Sequence, residues 1–140
     1  MSSCIITQRQ MTKKVLCVIG ASLGGARFVR LVAPRLPEDW RIIVIEPSAH
    51  VIWYPGLPRC LVDRDFTARC FFPLQQVFAP FDNVQHIQAK ATAIRADEKA
   101  VDIADRPTVH YDYLVIATGT YPFSFFPSPP RTHVLVAQEG

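Results

Sequence analysis

Apolar positions along the chain change their period repeatedly, and the changes divide it. Val15 to Ile19 is an unbroken apolar run, the pattern of a strand covered on both faces of a parallel sheet. From Gly24 to Leu36 the apolar residues recur at helical spacing. Phe28, Leu31, Val32 and Leu36 share one side, and Pro34 and Pro37 fray the end. Arg41 to Ile45 is a second apolar run, closed by Glu46 and Pro47. Together these predict a βαβ unit of about thirty residues.

His50 to Phe81 keeps no period; it is aromatic-rich and is expected to be irregular, with a short helix near Pro73 to Phe78. Residues 84–96 alternate as one extended strand, Asp97-Glu98-Lys99 supply a turn, and Ala100 to Ala104 return. A short extended piece at Val109 to Tyr111 leads into a buried strand from Leu114 to Ala117, stopped by Thr118-Gly119. The expected order is βαβ, an irregular insertion, a β-meander and a final buried strand, which is an α/β class with a Rossmann-like parallel sheet. A last short strand is expected at Leu135 and Val136.

A length of 140 residues suits one domain with a real core, and 49% hydrophobic with 19% charged residues argues for a folded globule. The twelve prolines cluster at connections rather than in a repeat. The net charge of +3 comes without a basic stripe, so Arg27 and Arg30 read as a solvated helix face and no nucleic-acid partner is expected. No apolar run reaches the ~18 residues of a membrane span. The first residues lack the apolar core and cleavage site of a secretory leader; they weakly resemble a transit peptide in being basic and free of acids, and the alternative expectation is a start at Met11, with the strand beginning at once behind it. Four cysteines, Cys4, Cys17, Cys60 and Cys70, show neither CxxC nor CxxxxC spacing. They predict no zinc site and no redox pair, with Cys17 a core residue. A cytoplasmic location is expected, with a mitochondrial or peripheral-membrane one as the alternative. The four histidines are dispersed and form no catalytic constellation.

The chemistry begins at "VIGASLGG". In a strand–turn–helix phosphate site, one glycine permits the tight turn, a second lets backbone approach the pyrophosphate, and a third allows close helix packing. Those positions are Gly20, Ser22 and Gly25, with Gly24 an extra small residue. Serine in the middle keeps the position small and adds a donor for a phosphate oxygen. Glu46 closes the second strand 21 positions after Gly25. A carboxylate there accepts hydrogen bonds from a ribose diol. Turn and carboxylate together favour an adenine dinucleotide, without separating NAD from FAD.

Four segments do separate them. "VIGASLGG", "IEPSAHVIWYPGLPR", "IQAKATAI" and "YDYLVIATGTYPF" stand in the order of the FAD-dependent pyridine nucleotide oxidoreductases. The chain resembles the apoptosis-inducing-factor-like, ferroptosis-suppressor-like and type II NADH dehydrogenase-like members, from Lys14 to about Phe123. The resemblance implies a Rossmann-like FAD-binding fold with a β-meander crossover over 14–125, flanked by an N-terminal tail at 1–13 and a proline-rich tail at 126–140. It implies that Gly20, Ser22, Leu23, Gly24 and Gly25 hold the FAD pyrophosphate and that Glu46 holds the adenosine ribose. Ala91 falls where backbone groups meet the adenine, and Thr118 and Gly119 where the chain passes the flavin's phosphate and ribitol side. Arg59, in a loop from Tyr54 that family members lay near the isoalloxazine, is the remaining candidate.

In complete relatives hydride passes from NAD(P)H to the flavin and then to a quinone-like acceptor. No second glycine turn occurs in this sequence, so the chain is expected to stop before the NAD(P)H-binding domain. The alternative expectation is a catalytically incompetent FAD-binding or interaction module. A different Rossmann enzyme, such as an NAD-dependent dehydrogenase or a methyltransferase, is disfavoured by the meander and the ATG strand. The paired-cysteine motif of the disulfide reductases is absent, since Cys60 and Cys70 are ten apart.

Overall fold

A computed structural model describes residues 13–119. Residues 1–12 of the expected tail, residues 120–125, and the segment 126–140 with its Leu135–Val136 strand lie outside the described residues. The two apolar runs form β1 (Lys14–Ile19) and β2 (Trp40–Ile45), paired parallel with Cys17 opposite Ile43. They are the centre of a four-stranded parallel sheet of order β5-β2-β1-β9, where β5 is Val84–Ile87 and β9 is Tyr113–Ile116. Successive side chains of β1 serve opposite faces. Leu16 and Val18 join Ile42 and Val44 in one core cluster, and Cys17 and Ile19 join Ile43 and Ile45 in another. Each fully buried side chain of this size contributes about 1.5–3 kcal/mol.

The first face is covered by α1 (Leu23–Val32) and α3 (Leu74–Phe78). The helix expected at 24–36 gives way after Val32 to a 3-10 turn, Ala33–Arg35. Pro34 has no N–H to continue the α ladder. The buried side of α1 is also rotated from the expected one. Small residues Gly25, Ala26 and Val29 face the sheet, Phe28 and Val32 pack at its margins, and Leu31 is exposed.

The second face is covered by an antiparallel meander of β6 (Ala91–Arg95), β7 (Ala100–Ile103) and β8 (Arg106–His110), whose Val101, Ile103 and Val109 complete that cluster. The single strand expected over 84–96 is therefore two strands in two sheets. After Ile87 the chain turns, with Ala89 N–H donating to the Ile87 carbonyl, and re-emerges in the meander. The alternation is the same in both pieces, so the period hides the break.

Two further expectations change. The insertion contains a small hairpin, β3 (His50–Ile52) with β4 (Phe71–Pro73), besides a four-residue helix α2 (Leu57–Cys60) and a 3-10 stretch, Arg64–Cys70. The final strand β9 is not buried: Tyr113 is 60% and Ile116 58% exposed. It lies at the edge of the described sheet, with β1 alone as neighbour.

Candidate functional site

Reversal of strand order places the crevice of an open parallel sheet outside the carboxyl ends of its strands. Here β2 and β5 lie to one side of β1 and β9 to the other, so the switch falls at the end of β1. Gly20 follows β1, Glu46 follows β2, and Ala117 to Gly119 follow β9. The strand ends are tied together. Gly20 N–H donates to the Ile45 carbonyl at 2.9 Å, and Ala117 N–H to the Ile19 carbonyl at 2.7 Å.

The turn itself has little slack. Gly20 has φ +94°, and a Cβ there would stand 2.5 Å from the Ala117 carbonyl oxygen. A Cβ on Gly25 would run into the Gly20 carbonyl oxygen. Both positions therefore need glycine, the first for conformation and approach, the second to seat α1 against the turn. Gly24 differs, since its outer side has nothing within 4 Å.

Ser22 is the N-cap of α1, at φ −69° and ψ −166°, and its side chain makes no capping bond. Its backbone is ordinary for serine, so the missing glycine costs the turn nothing in conformation. The first intrahelical donor is Ala26, whose N–H reaches the Ser22 carbonyl at 2.9 Å. The helix thus leaves the N–H groups of Leu23, Gly24 and Gly25 facing its positive end, where no acidic side chain occupies the first turn.

Glu46 bridges the site. One carboxylate oxygen accepts from Ala21 N–H at 2.8 Å, inside the turn, and the other accepts from Ser48 N–H at 2.8 Å. Its own carbonyl lies 3.1 Å from the His86 ring Nε2. A carboxylate has about four lone-pair sites, so acceptor capacity remains for two hydroxyl donors. The Glu46–Ala21 bond was not legible in the sequence, nor was the part of Ala117 in pressing on Gly20. Spacing gives the order of such groups along the chain and not their contacts.

The other candidates are placed less centrally. Thr118 and Gly119 extend β9 at the crevice, with Gly119 at φ +67° and open on its Cβ side. Ala91 opens β6 and packs on the cluster containing Ile19 and Ile45. Arg59, on α2, is engaged within its own segment: its guanidinium stacks 4.4 Å from the Phe66 ring centroid and its Nε donates to Asp63 at 3.4 Å.

The residues present fit an adenine dinucleotide. The turn offers unpaired-end backbone donors, an open approach at Gly24 and a carboxylate aimed from the neighbouring strand. Among the described residues no group of three or more His, Cys, Asp or Glu could hold a metal, and no helix is long and apolar enough to cross a membrane.

No family model matches the chain. Over 120 residues it is 29% identical to Fe-regulated protein 8 of Mycosarcoma maydis, covering 78% of this chain and 30% of that protein. Over 107 residues it is 28% identical to apoptosis-inducing factor 1 of Saccharomyces cerevisiae, covering 76% and 27%. The crystal structure of the sulfide:quinone oxidoreductase of Aquifex aeolicus superposes with a TM-score of 0.66 at 29% identity, over 76% of this chain and 24% of that one. The chain thus spans less than a third of the length of the curated relatives it matches.

Proposed function

We propose, from the premise that the chain is a relative of the FAD-dependent pyridine nucleotide oxidoreductases, that it binds FAD across the carboxyl ends of β1, β2 and β9. Backbone donors of Ser22, Leu23, Gly24 and Gly25 hold the pyrophosphate on the tight turn that Gly20 makes, with the Ser22 hydroxyl as an added donor. Glu46 accepts from the adenosine ribose through the lone pairs that Ala21 and Ser48 leave free. Ala91 contributes backbone beside the adenine, and Thr118 and Gly119 line the flavin's phosphate and ribitol side. Arg59 reaches the flavin only by leaving Asp63 and Phe66, an exposed pairing worth less than about 1 kcal/mol.

One observation carries this reading. The glycine turn, the acidic strand end and the ATG segment come from three distant parts of the sequence and converge at one strand-order switch. When bound, FAD would supply the redox chemistry, which in complete relatives is hydride transfer from NAD(P)H toward a quinone-like acceptor. The chain's own part is to fix the adenine half and orient the rest.

The test is titration of the purified chain with FAD, read as quenched flavin fluorescence and a protein-bound flavin spectrum, followed by NADH or NADPH and a soluble quinone. Absence of bound flavin would overturn the proposal. Bound flavin that neither nucleotide bleaches would support a second reading, an FAD-binding module without turnover of its own.

A further inference from the structure

Cys60 and Cys70, ten apart in sequence and without a redox-motif spacing, meet in the fold: their sulfurs are 3.5 Å apart. Several bonds fix the pair. Cys60 ends α2, and its thiol donates to the Gly56 carbonyl at 3.7 Å. Cys70 is held by its carbonyl, which accepts from Trp53 N–H at 2.8 Å where the β3–β4 hairpin opens into its connecting segment. Gly56 presses between them so closely that a Cβ there would stand 2.7 Å from the Cys70 sulfur. The two sulfurs differ in access, with Cys60 half-buried and Cys70 fully buried. The loop they bracket begins with two bare apolar side chains, Leu61 and Val62, each 88% exposed.

We propose that Cys60 and Cys70 are an exchange site for small-molecule disulfides, in which the incoming disulfide is reduced and the two cysteines become an intrachain clasp across the 61–69 loop. The reachable Cys60, as thiolate, attacks one sulfur of RSSR. That S–S bond breaks, one RS⁻ leaves with the electron pair, and a Cys60–S–S–R mixed disulfide forms. Cys70 loses its proton and attacks the Cys60 sulfur, expelling the second RS⁻. Overall, RSSR and two thiols become one protein disulfide and two RSH, with two electrons moved to RSSR. Burial and the neighbouring Cys60 both raise the Cys70 thiol above its ordinary range, so the first attack falls to the more accessible Cys60. Capping Cys60 as a mixed disulfide removes the like charge that opposes Cys70 ionisation. The site does not depend on flavin binding.

The test treats the full native chain with oxidised glutathione, quenches with acid, blocks free thiols and digests with trypsin. Cleavage after Arg59, Arg64, Arg69 and Lys90 puts the cysteines in separate peptides, 60–64 and 70–90. The expected product is those two peptides joined by a bond that dithiothreitol opens, with no glutathione retained on either. C70S is expected to keep one glutathionyl group on Cys60. C60S is expected to react at Cys70 about tenfold more slowly than wild type reacts at Cys60, because the remaining sulfur is buried. Glutathione persisting on Cys60 of the wild-type chain would overturn the proposal, as would linkage that forms only in urea or equal rates in C60S.

Discussion

Gly20→Ala and Gly24→Ala separate the fold of the turn from its ligand, because the structure gives the two substitutions opposite signs. At Gly20 two penalties act together. The residue sits at φ +94°, which costs an L-residue about 1–3 kcal/mol. The added Cβ would also stand 2.5 Å from the Ala117 oxygen, inside the 3.0 Å that real Cβ atoms keep, and that oxygen is backbone fixed by the β1–β9 ladder. Overpacking of this kind costs about 1–3 kcal/mol. The sum is roughly 4 kcal/mol, a loss of roughly 15 °C in melting temperature for a domain of this size. At Gly24 nothing lies within 4 Å, and the position is helical, so alanine stabilises by about 0.5–1 kcal/mol. Thermal and urea unfolding of the apo chains measure both values. FAD titration of G24A then reads the ligand alone, and the expected result is weaker binding by a more stable protein. Unfolding of G20A within about 1 kcal/mol of wild type, or destabilisation of G24A, would refute these assignments. Unchanged FAD affinity in G24A would remove Gly24 from the cradle.

Ser22→Ala is expected to leave the melting temperature unchanged, since the hydroxyl caps nothing in the helix, and to weaken FAD binding severalfold in a titration. Glu46→Gln turns one acceptor into an NH₂ group opposite a backbone N–H, either Ala21 or Ser48. Urea unfolding should show a loss of about 1–3 kcal/mol besides the loss of FAD affinity. Cys17 is pushed up to about 12 by desolvation, from 9.0, so native protein at pH 8 should leave it unlabelled by iodoacetamide until unfolding. The same shift has a sign in stability. The unfolded thiol ionises first, so Cys17 favours the folded state below pH 9 and loses that contribution as pH rises from 9.0 to about 12. The slope is at most about 1.4 kcal/mol per pH unit, readable from urea midpoints across that window. Stability that rises with pH between those values would refute the assignment.

The sheet centre was legible because continuous apolar runs have few other fates than strands covered on both faces, and β1, β2 and α1 appear within a few residues of expectation. The break between β5 and β6 was not, since alternation reports a strand's two faces and says nothing of which sheet it joins. Nor was the exposure of β9. "YLVI" is as apolar as β1, but burial belongs to neighbours, and among the described residues only β1 flanks it. The Cys60–Cys70 approach was invisible for a related reason. It needs the 3-10 stretch 64–70 to fold the chain back on α2, and nothing in the spacing of ten announces that return.

For the candidate site, order along the chain was legible and mutual support was not. The carboxylate of Glu46 is more than a strand-end charge awaiting a ribose. By accepting from Ala21 N–H it holds the phosphate turn to the end of β2, and by accepting from Ser48 N–H it fixes its own rotamer. Gly20, pressed against Ala117, holds the same turn to the end of β9. The three segments are therefore fastened to one another by protein–protein contacts before any ligand arrives. A site assembled this way loses little conformational entropy on binding, which lets a small number of backbone donors give useful affinity. It also means that a defect at Glu46 or Gly20 combines loss of contact with loss of shape. The Ser22 hydroxyl, which caps nothing, and the open side of Gly24 are the places where ligand affinity alone is read.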